Sequence, residues 1–228
     1  MSRRYATLCL DAGGVLISPN WSRVAEVFGR YGVAVDADAL RRAEPTVRRG
    51  LDTPRQISTS NDAQRGYLYI TRTLELAGAD LAAVDARPFD ELHAYHATAN
   101  LWEHVEEDAR VALAALHDRG VPMVVVSNAN GRLHALLDRL GLSAYFDVVV
   151  DSAVEGVEKP DPRLFHLALA RAGRTPESAV HVGDLYHVDV VGARQAGLDA
   201  RLLDPHDLYP DADVVRLRSL TELIALFH

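Results

Sequence analysis

Apolar positions along this chain fall into two textures. From Trp102 onward, short runs of valine, leucine and alanine alternate with longer stretches in which apolar residues recur at helical spacing. The runs at 123–127, 148–150, 179–182 and 200–203 are too short for helices and lack polar alternation, so they predict strands buried on both faces. The stretches between them carry start and stop signals. One helix is predicted over 107–119, ending at Gly120; another has Asp161 as N-cap, Pro162 in its first turn and Gly173 beyond its end. A last one opens with the capping box Ser219-Leu220-Thr221-Glu222. Such alternation is the pattern of βα units around a parallel sheet.

Residues 5–10 predict one more strand of that sheet, yet residues 18–100, which have no strand signal, separate it from the rest. Helical spacing covers 21–31, 37–49, 62–77 and 81–97, with Pro45 and Pro88 expected to interrupt two of these helices. The expected architecture is therefore an α/β protein. A Rossmann-like parallel-sheet core is formed by 1–17 and 101–228, and an all-helical cap of residues 18–100 is inserted after the first strand.

Composition narrows the function classes. The 228 residues carry 24 Lys plus Arg against 32 Asp plus Glu, and the net charge of -8 disfavours nucleic acid and anionic membranes as partners. A single cysteine, Cys9, lies in an apolar run, which excludes an internal disulfide. No apolar stretch is long enough to span a bilayer, and a cytoplasmic location is expected. Monomer and homodimer are both open. Lys159 is the only lysine among the 24 basic side chains, a bias that fits either chance or a position where guanidinium cannot replace a compact ammonium.

In open α/β sheets ligands bind beyond the carboxyl ends of the strands, so the residues after each predicted strand are the candidates. The first strand leads into Asp11-Ala12-Gly13-Gly14, a carboxylate beside backbone N–H groups that can approach an oxyanion. The second ends in Ser127-Asn128, a hydroxyl and an amide able to donate to the same anion. Lys159 stands just before a helix, where its charge suits a phosphoryl oxygen. The next strand ends in Gly183-Asp184, with Asp189 five residues on. Asp11, Asp184 and Asp189 together are hard oxygen ligands of the kind Mg²⁺ takes.

This ordered set resembles the haloacid dehalogenase superfamily, over essentially the whole chain. The similar segments are Asp11 after strand one, Val126-Ser127-Asn128, the run from Val157 to Phe165 around Lys159, and His181-Val182-Gly183-Asp184 with Asp189, Gly192 and Ala193. They match subfamily I, in which a helical C1-type cap follows the first motif. The resemblance implies a Mg²⁺-dependent phosphatase of small phosphate esters, with Asp11 as the nucleophile that forms an aspartyl-phosphate. It implies catalytic roles for Asp11, Ser127 and Lys159, and phosphate contacts from Ala12, Gly13, Ser127, Asn128 and Lys159. The metal ligands would be Asp11, Asp184, Asp189 and the Gly13 carbonyl, with Asp189 also placed to orient a metal-bound water or Lys159.

One position departs from the family pattern. Most of its phosphatases carry a second aspartate two residues after the first, as a general acid, and here that place is Gly13. Positioned proton transfer is worth ~10²–10⁴-fold in rate. His93, His96, Tyr67 and Tyr69 are candidate donors from the cap; His187 is left without a role. Trp21, Arg23, Arg65 and Tyr67 are candidates for lining a pocket. Two other readings compete with the phosphatase. A 2-haloacid dehalogenase would not need the missing acid but would not need Asp184 either, and a phosphate-binding protein that has lost catalysis would not need the nucleophile.

Overall fold

The computed structural model of the protein describes residues 5–60 and 62–227. In chain order, β1 (Thr7–Leu10) and β2 (Ile17–Pro19) precede α1 (Trp21–Arg30), α2 (Ala37–Leu51), α3 (Pro54–Thr59), α4 (Asp62–Leu76) and α5 (Arg87–Thr98). Then come β3 (Trp102–Val105), α6 (Glu107–His117), β4 (Met123–Ser127), α7 (Leu133–Arg139), β5 (Val148–Asp151), α8 (Ser152–Glu155) and α9 (Pro162–Arg171). After these follow β6 (Ala179–Gly183), a π-helical turn at Tyr186–Val190, α10 (Val191–Gln195), β7 (Asp199–Leu203), β8 (Val215–Leu217) and a 3₁₀ segment at Leu220–Leu226. Among the described residues no helix is long and apolar enough to cross a membrane.

The chain divides into two compact units, Met1–Ser18 with Val105–His228, and Pro19–His104. The first holds a six-stranded sheet in the order β5-β4-β1-β6-β7-β8, every neighbouring pair parallel. Successive strands run outward from β1 to β4 and β5, after which the chain returns to the other side of β1 for β6 and β7. That reversal puts the carboxyl ends of β1, β4 and β6 at a topological switch point, the place where open α/β sheets bind their ligands. The valines and leucines of β1, β4 and β6 are buried on both faces. One face packs as a cluster in which Cys9, Val124, Val126 and Val150 meet Leu164 and Phe165 of α9.

The second unit is built of helices around its own apolar cluster, in which Trp21, Val24 and Phe28 meet Leu40, Ile70, Leu74 and Leu92. Two expectations for it are corrected. Pro45 lies inside α2 without ending it; the helix gives up one backbone hydrogen bond there, and burial of Pro45 with Leu40, Ala43, Val47 and Leu51 offsets the loss. Pro88 sits in the first turn of α5, where a missing N–H costs nothing, so this helix starts at Arg87 rather than 81. The preceding residues are held in turns by Asp80, whose carboxylate accepts from Ala82 N–H, and by Asp85, which accepts from Arg87 N–H. Strands β2, β3 and β8 and helices α3, α7 and α8 have no counterpart among the expected elements.

Candidate active site

Each candidate residue from the sheet lies at a strand's carboxyl end. Asp11 follows β1, and its N–H donates to Val182 O of β6 at 2.9 Å. The turn after it closes with Gly14 N–H donating to Ile17 O at 2.8 Å, and its left-handed residue is Gly14, at φ 73°. Ser127 ends β4, Gly183 ends β6, and Asp184 comes next. All of Asp11, Ser127, Lys159, Asp184 and Asp189 are buried.

Lys159 arrives from the loop between α8 and α9, and its backbone is clamped. Asn128 Oδ1 accepts from Lys159 N–H at 2.7 Å, while Asn128 Nδ2 donates to Lys159 O at 3.1 Å. Both ends of the Asn128 amide thus engage the lysine backbone. The ammonium of Lys159, 1% exposed, stands 2.7 Å from Asp11 Oδ1 and 2.7 Å from Asp189 Oδ1. Asp189 is engaged on both of its oxygens. Its Oδ1 also accepts from His181 Nε2 at 3.0 Å, and its Oδ2 accepts from Leu185 N–H at 3.1 Å.

The electrostatics follow from burial and from these partners. Burial is the largest influence on Asp11 and raises its carboxyl above the ordinary value, against the pull of Lys159 and Ser127. Burial opposes the charge of Asp189 as well, yet Lys159 and the His181 hydrogen bond outweigh it and hold this carboxyl below the usual carboxylate range. The difference matches the geometry, since Asp189 has N–H donors besides Lys159. For Lys159 itself burial works against the ammonium, and the two flanking carboxylates overcome it, keeping the pKa above that of an ordinary lysine.

Asp11, Asp184 and Asp189 each offer a carboxylate oxygen, and these oxygens lie within 4.8 Å of one another. Three acids against one ammonium leave negative charge to be balanced. Asp11 Oδ1, though at ion-pair distance from Lys159, has no aligned hydrogen-bond donor. A buried set of hard oxygens with an excess of charge fits a divalent cation such as Mg²⁺.

Close approach at this site depends on one glycine. A Cβ placed on Gly183 would lie 2.0 Å from Asp189 Cγ, so Asp189 can rest against the end of β6 only because no side chain is there. Gly183→Ala is expected to displace Asp189 and to lower stability by ~1–3 kcal/mol, the usual cost of overpacking a tight interior. Denaturant unfolding measures the stability. An unchanged midpoint would show that Asp189 can move without cost.

The helical unit accounts for several candidates locally. His96 Nδ1 accepts from Leu101 N–H at 3.2 Å and its ring meets Trp102 edge-on, so this histidine holds the chain that follows its own helix. Tyr69 donates its hydroxyl to Glu44 and stacks on Trp102, Arg23 lies 3.8 Å over the ring of Tyr95, and Trp21 is buried in the cluster. Arg65 donates to Ser60 O, while Tyr67 is 58% exposed and packs on Phe89. His93 is exposed on α5. In the sheet unit, His187 meets Tyr186 edge-on.

Sequence reasoning left two contributors without their roles, the Asn128 clamp and His181. The second had a signal, a histidine inside a strand otherwise built of apolar residues.

Comparisons with known proteins bear on the family and the fold. The family model described as haloacid dehalogenase-like hydrolase matches residues 5–197. The chain belongs to the haloacid dehalogenase-like hydrolase family. It is 36% identical over 142 residues to haloacid dehalogenase-like hydrolase domain-containing protein 3 of Bos taurus, covering 62% of this chain and 56% of that protein. It is 35% identical over 148 residues to ribulose-1,5-bisphosphate 5-phosphatase of Halopiger xanaduensis, covering 62% and 59%. The chain thus spans a little over half the length of these relatives. The fold matches the magnesium-bound HAD-hydrolase YfnB of Bacillus subtilis at a TM-score of 0.73, with 18% identity over 99% of both chains. A dehalogenase structure matches at 0.70, with 22% identity over 100% of this chain and 99% of that one.

Proposed function

We propose that this hydrolase is a Mg²⁺-dependent phosphatase of small phosphate esters, with Asp11 as its nucleophile. The observation that carries the reading is the buried group at the carboxyl ends of β1 and β6, in which one ammonium lies 2.7 Å from each of two carboxylates and a third acid stands beside them. Relatives named as phosphatases of ribulose-1,5-bisphosphate, phosphoserine and glyceraldehyde 3-phosphate support small phosphorylated metabolites as the substrate class.

In this reading a carboxylate oxygen of Asp11 attacks phosphorus, the bond to the leaving oxygen breaks, and water then releases phosphate from the aspartyl-phosphate and restores Asp11. Lys159 and Ser127 hold the phosphoryl oxygens, together with the backbone N–H groups of Ala12 and Gly13. Asn128 keeps Lys159 in place through its backbone. Asp11, Asp184 and the Gly13 carbonyl would hold the metal, with Asp189 behind them as the anchor of Lys159. Bound there, Mg²⁺ would neutralise charge on the phosphoryl oxygens.

Gly13 sets a limit on this chemistry, because no carboxyl stands there to protonate the leaving group. Displacement of halide by Asp11 would escape that limit, but the three-acid group that fits a cation favours phosphate. A screen for phosphate release from sugar phosphates, nucleotides and acyl phosphates, with Mg²⁺ and with chelator, tests the assignment. Turnover is expected only with metal; halide release from a 2-haloacid in chelator would overturn it.

The same limit predicts a leaving-group dependence. Activity should fall as leaving-group pKa rises, and Gly13→Asp should raise the rate on alkyl phosphates by up to ~10²-fold while flattening that dependence. The left-handed glycine of the turn is Gly14, so position 13 can take a side chain without that backbone strain. Equal wild-type rates on alkyl and aryl phosphates would mean that another group already donates the proton.

A further inference from the structure

We infer that His181 is a positioning residue for Lys159, acting through Asp189. The proposal rests on the phosphatase reading for its catalytic consequence, but its structural part stands on the geometry alone. His181 lies on β6, opposite Cys9 of β1, and is fully buried with its ring edge-on to Phe165 at 5.0 Å. A polar ring in such a place is unfavourable unless it makes a hydrogen bond that something else depends on. It makes one, from Nε2 to the same Asp189 Oδ1 that faces the Lys159 ammonium, while its Nδ1 has no partner.

The arrangement fixes the direction of the hydrogen bond. A carboxylate oxygen can only accept, so the ring nitrogen 3.0 Å from Asp189 Oδ1 carries a proton, and Nε2 is the donor while the buried Nδ1 has no partner. Asp189 is therefore gripped by His181 Nε2–H and Leu185 N–H, one on each oxygen, which leaves its carboxylate a single orientation toward Lys159. Lys159 in turn is held at its backbone by Asn128 and at its tip by Asp189 and Asp11. Removing the His181 donor loosens the anchor of the ammonium without touching any atom that would meet substrate. Loss of such a supporting hydrogen bond typically costs ~10–100-fold in activity.

The test compares His181→Met, which keeps an apolar side chain of similar reach, with His181→Gln, whose amide N–H can replace Nε2–H. Because Lys159 is the only lysine, protein grown on ¹³C,¹⁵N-lysine reports its side chain as one set of signals, whether or not the enzyme turns over. In His181→Met the Lys159 side-chain signals are expected to shift and broaden and kcat to fall ~10–100-fold with a smaller change in KM. His181→Gln should restore both at an equal thermal midpoint. If His181→Met does not fold, His181→Asn, whose amide ends short of Asp189, takes its place. Unchanged lysine signals in the donor-free variant, or Gln and Met variants equally impaired, would overturn the proposal. Absence of phosphatase activity in the wild type would defeat the phosphatase reading while leaving the lysine signals to decide the role of His181.

Discussion

Asp11→Asn is expected to abolish phosphate release, with a loss of at least ~10⁴-fold, because it removes the attacking group and not merely a contact to the transition state. The amide has nearly the shape of the carboxylate, and its oxygen can occupy the place of Asp11 Oδ1, 2.7 Å from the Lys159 ammonium. Burial already disfavours the charge of Asp11, so removing that charge should disturb the fold little. A folded and inactive protein is the result that separates chemistry from architecture. Kinetics on the best substrate, with circular dichroism as the control for folding, measures it, and retained turnover in the amide variant would remove Asp11 from the mechanism.

Lys159→Arg is the second large effect. The substitution keeps the charge and leaves the balance of the surface untouched, yet a loss of ~10²–10³-fold is expected, comparable to removal of one donor from an oxyanion site. A compact ammonium bridges Asp11 Oδ1 and Asp189 Oδ1 at 2.7 Å each, with 1% of the residue exposed. A planar guanidinium is larger and donates in a fixed fork, which does not match a compact ammonium between two carboxylates. It would have to displace one of the two carboxylates or shift the backbone held by Asn128. Steady-state kcat and KM measure the effect; activity within a few-fold of wild type would show that any cation serves and that the sole lysine is a matter of chance.

Much of the site was legible before the fold because its residues follow strand ends. Asp11, Ser127, Gly183 and Asp184 are marked by the end of an apolar run, and a parallel sheet brings such ends together whatever the intervening chain does. The roles of Asn128 and His181 were not legible. Asn128 acts on a backbone 31 positions away, and His181 on an aspartate 8 positions away across a π-helical turn, contacts that no periodicity encodes. In the fold, helix boundaries failed where side chains compete for backbone groups, as Asp80 and Asp85 do ahead of α5. Strand β8, only Val215–Leu217 with Arg216 in the middle, lies at the sheet edge, where one buried leucine suffices and no apolar run is needed.

The central claim, a phosphoryl group carried on Asp11, is tested most directly by quenching the enzyme in acid during turnover with Mg²⁺ and locating the adduct by peptide mass spectrometry. An acyl phosphate is stable enough in cold acid to survive digestion. One phosphoryl group on the peptide containing Asp11, absent from the Asp11→Asn protein and lost on treatment with hydroxylamine, is the predicted result. Full turnover with no adduct at Asp11 under conditions that slow its hydrolysis, or an adduct on another residue, would contradict it.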